Sequence, residues 1–167
     1  GTVRRIDKGI TDLVSDTSPG MPQRPDPFGI ALWEEQDRSL LIHTDRGVWK
    51  VSPTGQFAAQ DITAAHRKED LQFKFYANWS LASTFTPGDT LLFQATAYSN
   101  KNTGFFAITA GAKPTTRRLL FGKYSFVYPG MDIAKQGRQI LFSFGNTDFY
   151  GLFYTKDLQR FDTLHVL

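Results

Sequence analysis

Apolar and polar positions along this chain fall into one module that is used three times. Leu40-Leu41-Ile42 is an apolar run, residues 43–46 are polar, and Gly47-Val48-Trp49-Lys50-Val51 brings apolar side chains back before Pro53-Thr54-Gly55 closes the stretch. Two strands joined by a tight turn, with a second turn after them, account for this pattern. The same order recurs as Leu91-Leu92-Phe93 followed by Gly104-Phe105-Phe106-Ala107-Ile108, and as Ile140-Leu141-Phe142 followed by Gly151-Leu152-Phe153-Tyr154-Thr155. The triplet centres Leu41, Leu92 and Leu141 are 51 and 49 residues apart, whereas the distance from centre to glycine is 6, 12 and 10. The period is nearly constant and the hairpin loop varies. Strand units repeating near fifty residues point to blades of a β-propeller, and about three units fall short of the roughly four to eight that close a ring. The fold expected is therefore all-β: a partial β-propeller of about three antiparallel blades in an open arc. Gly47, Trp49, Gly104, Phe106, Gly151 and Phe153 are its equivalent structural positions.

The remaining stretches are arranged around that module. Residues 2–6 alternate weakly and suit the last strand of a preceding blade, and residues 10–27 carry Pro19, Pro22, Pro25 and Pro27. No regular strand survives that proline density, so 1–27 is predicted to be the end of a blade plus a solvated linker loop. Three units follow, at about 28–80, 81–128 and 129–167. In the first, 28–33 is an inner strand, 34–38 a polar turn, 56–63 an outer strand and 64–70 a helical turn or inter-blade loop. Residues 71–76 alternate as a strand does, 82–85 stay extended, and Pro87-Gly88-Asp89 turns the chain into the second hairpin, 90–97 and 104–109. An outer strand is expected at 114–120. Pro129-Gly130 separates 124–128 from 131–134, which opens the third unit, and a last strand falls at 163–167. No 3.6-residue periodicity persists beyond two turns, which leaves no room for a packed helical layer.

Composition changes this picture little. Fifteen Phe and 14% aromatic residues in 167 suit strands that pack on both faces. Nineteen Lys and Arg against 16 Asp and Glu give a net charge of +3, scattered along the chain. Nucleic-acid binding requires a concentrated basic stripe, so no nucleic-acid partner is expected. The absence of Cys excludes disulfides and thiolate metal sites. No apolar run approaches the ~20 residues that span a bilayer, and no signal-peptide pattern opens the chain. Beginning at Gly1-Thr2-Val3-Arg4-Arg5 without Met, the sequence reads as a stretch of a longer protein.

Trp33 with Asp37-Arg38-Ser39-Leu40-Leu41-Ile42, followed by Val48-Trp49-Lys50-Val51-Ser52-Pro53-Thr54-Gly55, resembles a blade of the N-terminal propeller of prolyl-oligopeptidase-family serine peptidases, closest to the long secreted members of Bacteroidetes-type bacteria. The likeness continues in order through Leu91-Leu92-Phe93, Asn102-Thr103-Gly104-Phe105-Phe106, Gly122-Lys123-Tyr124-Ser125 and Leu152-Phe153-Tyr154. The resemblance implies a non-catalytic lid that filters unstructured peptide substrates for a separate α/β-hydrolase domain, in a periplasmic or extracellular setting. Its partners would be the rest of its own propeller, that hydrolase domain and peptide substrate. The third unit departs by carrying Tyr154-Thr155 where the first has Lys50-Val51, and Glu34-Glu35 lies in a turn, so no amino-terminus-binding role is carried over to it.

Other chemistry is weaker. No Ser sits in a G-x-S-x-G nucleophile elbow: Ser18 has Gly20 after it but Asp16 before it, and neither Ser125 nor Ser143 has both glycines. His43, His66 and His165 form no ligand pair, and two cations separate His66 from Glu69. Asp26, Asp89, Asp132 and Asp148 lie near turns, where Asp bonds its own backbone rather than serving as one of a glycosidase's paired carboxylates. Trp49, Phe106 and Phe153 are packing positions rather than a stacking platform; Trp79 lies outside the repeat. No catalytic, cofactor or metal residue is assigned. The alternative function is a propeller-type binding or sensor module like those of two-component regulators, suggested by Thr44-Asp45-Arg46-Gly47-Val48-Trp49-Lys50-Val51-Ser52-Pro53-Thr54-Gly55, and after it a propeller glycosidase. Three blades alone would leave unpaired edges and apolar faces, which predicts self-association.

Overall fold

A computed structural model describes residues 3, 5–15, 25–78, 82–134, 139–145, 150–155 and 165–166. The protein is all-β. Its strands are β1 (Ile30–Glu34), β2 (Leu40–His43), β3 (Val48–Val51), β4 (Gln60–Asp61), β5 (Leu71–Asn78), β6 (Thr84–Phe85), β7 (Thr90–Ala97), β8 (Thr103–Thr109), β9 (Thr115–Gly122), β10 (Ser125–Ile133), β11 (Ile140–Gly145), β12 (Tyr150–Thr155) and β13 (His165–Val166). Short 3-10 helices at Glu35–Asp37 and Ala64–Glu69 are the helical elements among the described residues.

The strands fall into three separate sheets rather than one closed barrel. The first has the order β4-β3-β2-β1-β6, the second β5-β7-β8-β9 and the third β10-β11-β12-β13. Within each, consecutive strands pair antiparallel. The exception is β6, which lies parallel to β1 through Trp33↔Thr84 and Glu34↔Phe85 and so ties the approach to the second hairpin onto the first sheet.

Successive side chains point to opposite faces, and both faces of the central strands are packed, which stacks the sheets. Leu91 and Phe93 of β7, with Phe106 and Ile108 of β8, pack against Leu32, Leu41 and Val48 of the first sheet. Their neighbours Leu92 and Phe105 point the other way, onto Ile140, Phe142 and Phe153 of the third sheet. The second sheet is thus buried on both faces at its central strands, which is why β7 and β8 read as nearly continuous apolar runs. On the outer face of the first sheet, Leu40, Trp49 and Val51 pack with Ile6 and Ile10.

Several expectations change. Residues 5–10 form no strand; they lie across the first sheet, and the continuing segment is tied down by reciprocal bonds between Leu13 and Asp45 (2.9 and 3.0 Å) and a bridge of Ser15 to Pro27. Its role is to cover an apolar face, so residues 5–15 are not a solvated linker. The sheets also divide the chain elsewhere: β5 opens the second sheet at Leu71 and β10 the third at Ser125, not at 81 and 129. Pro129-Gly130 does not interrupt β10. The strand runs through it, and the register against β11 shifts between Phe126 and Met131, the irregularity by which a strand accommodates a residue with no N–H to donate. The outer strand expected at 56–63 shrinks to Gln60–Asp61. Trp79 and Asp148 lie outside the described residues.

Candidate functional site

The six repeat positions do not converge on a pocket; they lie at three successive packing interfaces. Ile42 pairs with Trp49, Phe93 with Phe106 and Phe142 with Phe153, so the three hairpins share one register despite their different loops. Trp49, Phe106 and Phe153 also face the same way: toward the N-terminal segment, the first sheet and the second sheet respectively. Phe106 is the most enclosed, meeting His66, Phe73 and Phe121 edge to face at centroid distances of 4.9, 5.3 and 5.7 Å. Such pairs add to the area they bury.

The glycines sit two residues ahead of these rings. A Cβ at Gly104 would strike the backbone of Leu120 and Phe121 on β9, where the β8–β9 register shifts. At Gly47 it would strike the Thr63 hydroxyl, which accepts from the Val48 amide at 3.1 Å. At Gly151 it would meet the edge of the Phe153 ring at 3.0 Å. The first two glycines therefore admit close passage of the following chain, and the third accommodates a side chain of its own strand.

Polar groups are concentrated where the N-terminal segment meets the first sheet. Asp12 Oδ2 accepts from Trp49 Nε1 at 2.7 Å and from Thr44 Oγ1 at 3.0 Å, while Oδ1 accepts from Arg67 at 2.6 Å. Arg67 also pairs with Asp61 and lies 5.6 Å over the Trp49 ring. Burial pushes the Asp12 carboxyl up, but the bonds from Arg67, Trp49 and Thr44 outweigh it and hold the pKa below the ordinary value. Burial likewise works against the Arg67 charge, and the two carboxylates more than restore it. Both ions are therefore charged at neutral pH.

Glu34 is a second charge the sequence placed wrongly. It closes β1 rather than lying in the turn, and it is buried. Lys50 reaches it at 3.0 Å, Arg38 at 3.3 Å, and the Ser39 hydroxyl donates to it. Burial raises its pKa, and Ser39, Lys50 and Arg38 bring it below the usual value. The ion pair leaves no carboxylate exposed for binding a ligand. Nothing in the local pattern Trp-Glu-Glu-Gln distinguished a buried Glu34 from an exposed Glu35; the signal was the cation Lys50 two strands away on β3.

His43 and His66 are structural. His43 is buried, and its Nε2 accepts from the Phe75 amide of β5 at 3.3 Å, joining the first sheet to the second. Burial lowers its pKa, so the ring is neutral. His66 lies in the helical turn at 64–70, a 3-10 helix in which its Nδ1 bonds Glu69 at 2.6 Å, and Glu69 also pairs with Arg118 of β9. His66 Nε2 is shut off from solvent, so this His-Glu pair offers no base to a substrate. Asp89 accepts from the Thr86 amide at 2.8 Å, the turn role expected of it, whereas Asp132 lies within β10 opposite Leu141. Ser125 and Ser143 lie on strands. Among the described residues no group of three His, Asp or Glu could hold a metal ion, and no helix is long and apolar enough to cross a membrane.

One open groove of about 790 Å³ runs between the N-terminal segment and the 52–59 loop, lined by Arg5, Lys8, Ser52, Thr54 and Phe57 among others. Its lining has no carboxylate or imidazole, so it can offer hydrogen bonds and apolar contact but no acid–base pair at neutral pH. Compared with protein-family models, curated proteins and solved structures, the chain matches none of them.

Proposed function

We propose that this chain is a non-catalytic segment of a β-propeller belonging to a secreted serine peptidase of the prolyl-oligopeptidase type, which restricts access of peptides to a separate α/β-hydrolase domain. The observation that carries this reading is the shared register of Ile42↔Trp49, Phe93↔Phe106 and Phe142↔Phe153 in three sheets stacked face to face, the arrangement that blades adopt. The order of motifs from Trp33 to Tyr154 supports the peptidase context, and the lack of a nucleophile elbow supports a filtering rather than a hydrolytic role. The groove beside Thr54 would add backbone-directed contacts for an extended peptide.

Two measurements test it. The purified chain should neither hydrolyse peptide anilides nor react with a fluorophosphonate serine probe. In the cells that make it, an antibody against the chain should precipitate a polypeptide that the same probe labels. Precipitation of an unlabelled membrane protein with kinase activity would instead favour the sensor-type module suggested by Thr44-Asp45-Arg46-Gly47-Val48-Trp49.

A further inference from the structure

The strand β9 bounds the second sheet on one side, and among the described residues no strand pairs with its outer edge. Its first half is regular: Thr109↔Thr115, Ile108↔Thr116, Ala107↔Arg117 and Phe106↔Arg118 run in unbroken register, and the shift comes only after Arg118. Two bonds tie this half to the first sheet. Thr116 donates to the Ile62 carbonyl and Gln60 to the Ala112 carbonyl, each at 3.3 Å. The outer strand of the first sheet, only two residues long, offers no comparable edge. An unpaired strand edge held in place presents N–H and C=O groups that a second extended chain can meet. The side chains around this edge carry one sign of charge. Lys113, Arg117 and Arg118 are exposed, as is Lys68 of the neighbouring 3-10 helix. Glu69, the acid of that helix, is already engaged by His66 and Arg118. Arg118 lies over the Phe106 and Phe121 rings at 5.7 and 5.2 Å, on the side of the first sheet. Arg117, next along the strand, points to the opposite face. Cations that are scattered in the sequence are thus gathered on both faces of one open edge.

We propose that this edge docks an extended acidic segment of a partner protein, which adds a strand beside Thr115–Arg118 and sets its carboxylates against Lys113 and Arg117. Backbone pairing supplies the attachment, and the charges select the partner. A second copy of this chain is a poor occupant, because β9 laid against β9 sets Arg117 and Arg118 beside their own copies, and like charges across a strand pair repel. The same repulsion turns away basic strands, whereas an acidic one relieves it. The inference stands on the edge and its charges alone, so failure of the peptidase reading leaves it untouched.

The probe is a fluorescein-labelled peptide of alternating Glu and Val, as long as β9, titrated with the whole chain and followed by fluorescence anisotropy. It should bind saturably, and amide hydrogen exchange at 115–118 should slow when it does. The same peptide methylated on every amide nitrogen keeps its charge and length but has no N–H to offer, and should not bind. This arm uses the unaltered chain, so it does not depend on any variant folding. Lys113→Glu together with Arg117→Glu should weaken the unmethylated peptide at least about tenfold, because attraction becomes repulsion. Lys74→Glu, on β5 at the opposite edge of the same sheet, should leave binding unchanged. No binding of the unmethylated peptide overturns the proposal. Equal binding of the methylated peptide, or of an oligothymidylate, also overturns it, leaving a patch that attracts any polyanion. So does an equal loss in Lys74→Glu, which moves the peptide to the β5 edge.

Discussion

The two outer faces of the stack contrast sharply, although both belong to sheets of one design. On the first sheet, Leu40, Trp49 and Val51 lie beneath the N-terminal segment, whose Ile6 and Ile10 supply apolar cover and whose Asp12 takes three side-chain hydrogen bonds. On the third, Leu141 and Leu152 occupy positions that are fully enclosed in the other two sheets and yet face solvent. The residue types hardly differ; what lies opposite them does. Burial in a repeated sheet is a property of the neighbour, so an apolar pattern identifies a face that must be covered without revealing what covers it.

The sharpest way to break this comparison is to truncate the same register position in two sheets. Leu92→Ala removes a side chain packed on the third sheet and should cost about 2–5 kcal/mol by urea titration, the cost of lost burial plus a residual cavity. Leu141→Ala, at the equivalent but half-open place, should cost less than about 1 kcal/mol. Equal losses would mean that the third sheet is not bare.

The glycines give a second contrast. Gly104→Ala drives a methyl into the backbone of Leu120 and Phe121, atoms that cannot yield without moving β9, and should destabilise by about 2–3 kcal/mol. Gly151→Ala meets only the Phe153 ring edge, which can turn aside, and should cost roughly 1 kcal/mol or less. The measurement is again the urea midpoint, with the slope checked for constancy. A reversed order would remove the claim that the two glycines answer different needs.

How far the sequence leads follows from what each signal depends on. The triplet-to-glycine module located β2–β3, β7–β8 and β11–β12 and their register, because hairpin pairing is local and set by the alternation of a few residues. Sheet membership was not local. Residues 71–76 read correctly as a strand but were assigned to the first unit, since nothing in an alternating segment says whether it completes one sheet or begins the next. The N-terminal stretch misled for a related reason: its prolines begin at Pro19, and they say nothing of the proline-free residues 5–15 before them, which lie across a sheet and insert Asp12 beside Trp49. The buried ions Asp12 and Glu34 were invisible for want of their partners, Arg67 and Lys50, which are 55 and 16 residues away.

The fastened face can be loosened directly. Asp12→Ala leaves Trp49 Nε1 without its acceptor and Arg67 with Asp61 alone, and should cost about 2 kcal/mol. The loss should be concentrated at the N-terminal segment: Trp fluorescence shifts to the red and protease cleaves within residues 5–15 before the sheets unfold. If cleavage is unchanged, apolar contact through Ile6 and Ile10 holds the segment without help from the ions.

The smallest effect separates the joint between the first two sheets from the fastened face by pH. Burial lowers the His43 pKa from its usual 6.5, so the unfolded chain takes up this proton at a higher pH than the folded one. Stability should therefore fall as pH drops below about 6.5 and level off once the folded form protonates as well. Asp12 and Glu34 have lowered values instead, so what they contribute is intact above their usual 3.8 and 4.5 and is lost only as pH falls through the lowered ones. Two windows result, the upper from His43 and the lower from the carboxylates. In His43→Asn the urea midpoint should no longer change between pH 7.5 and 5.5, while the acid limb remains. An unaltered upper window in that variant would move the effect to another group and leave the contact of His43 with the Phe75 amide without a role in stability.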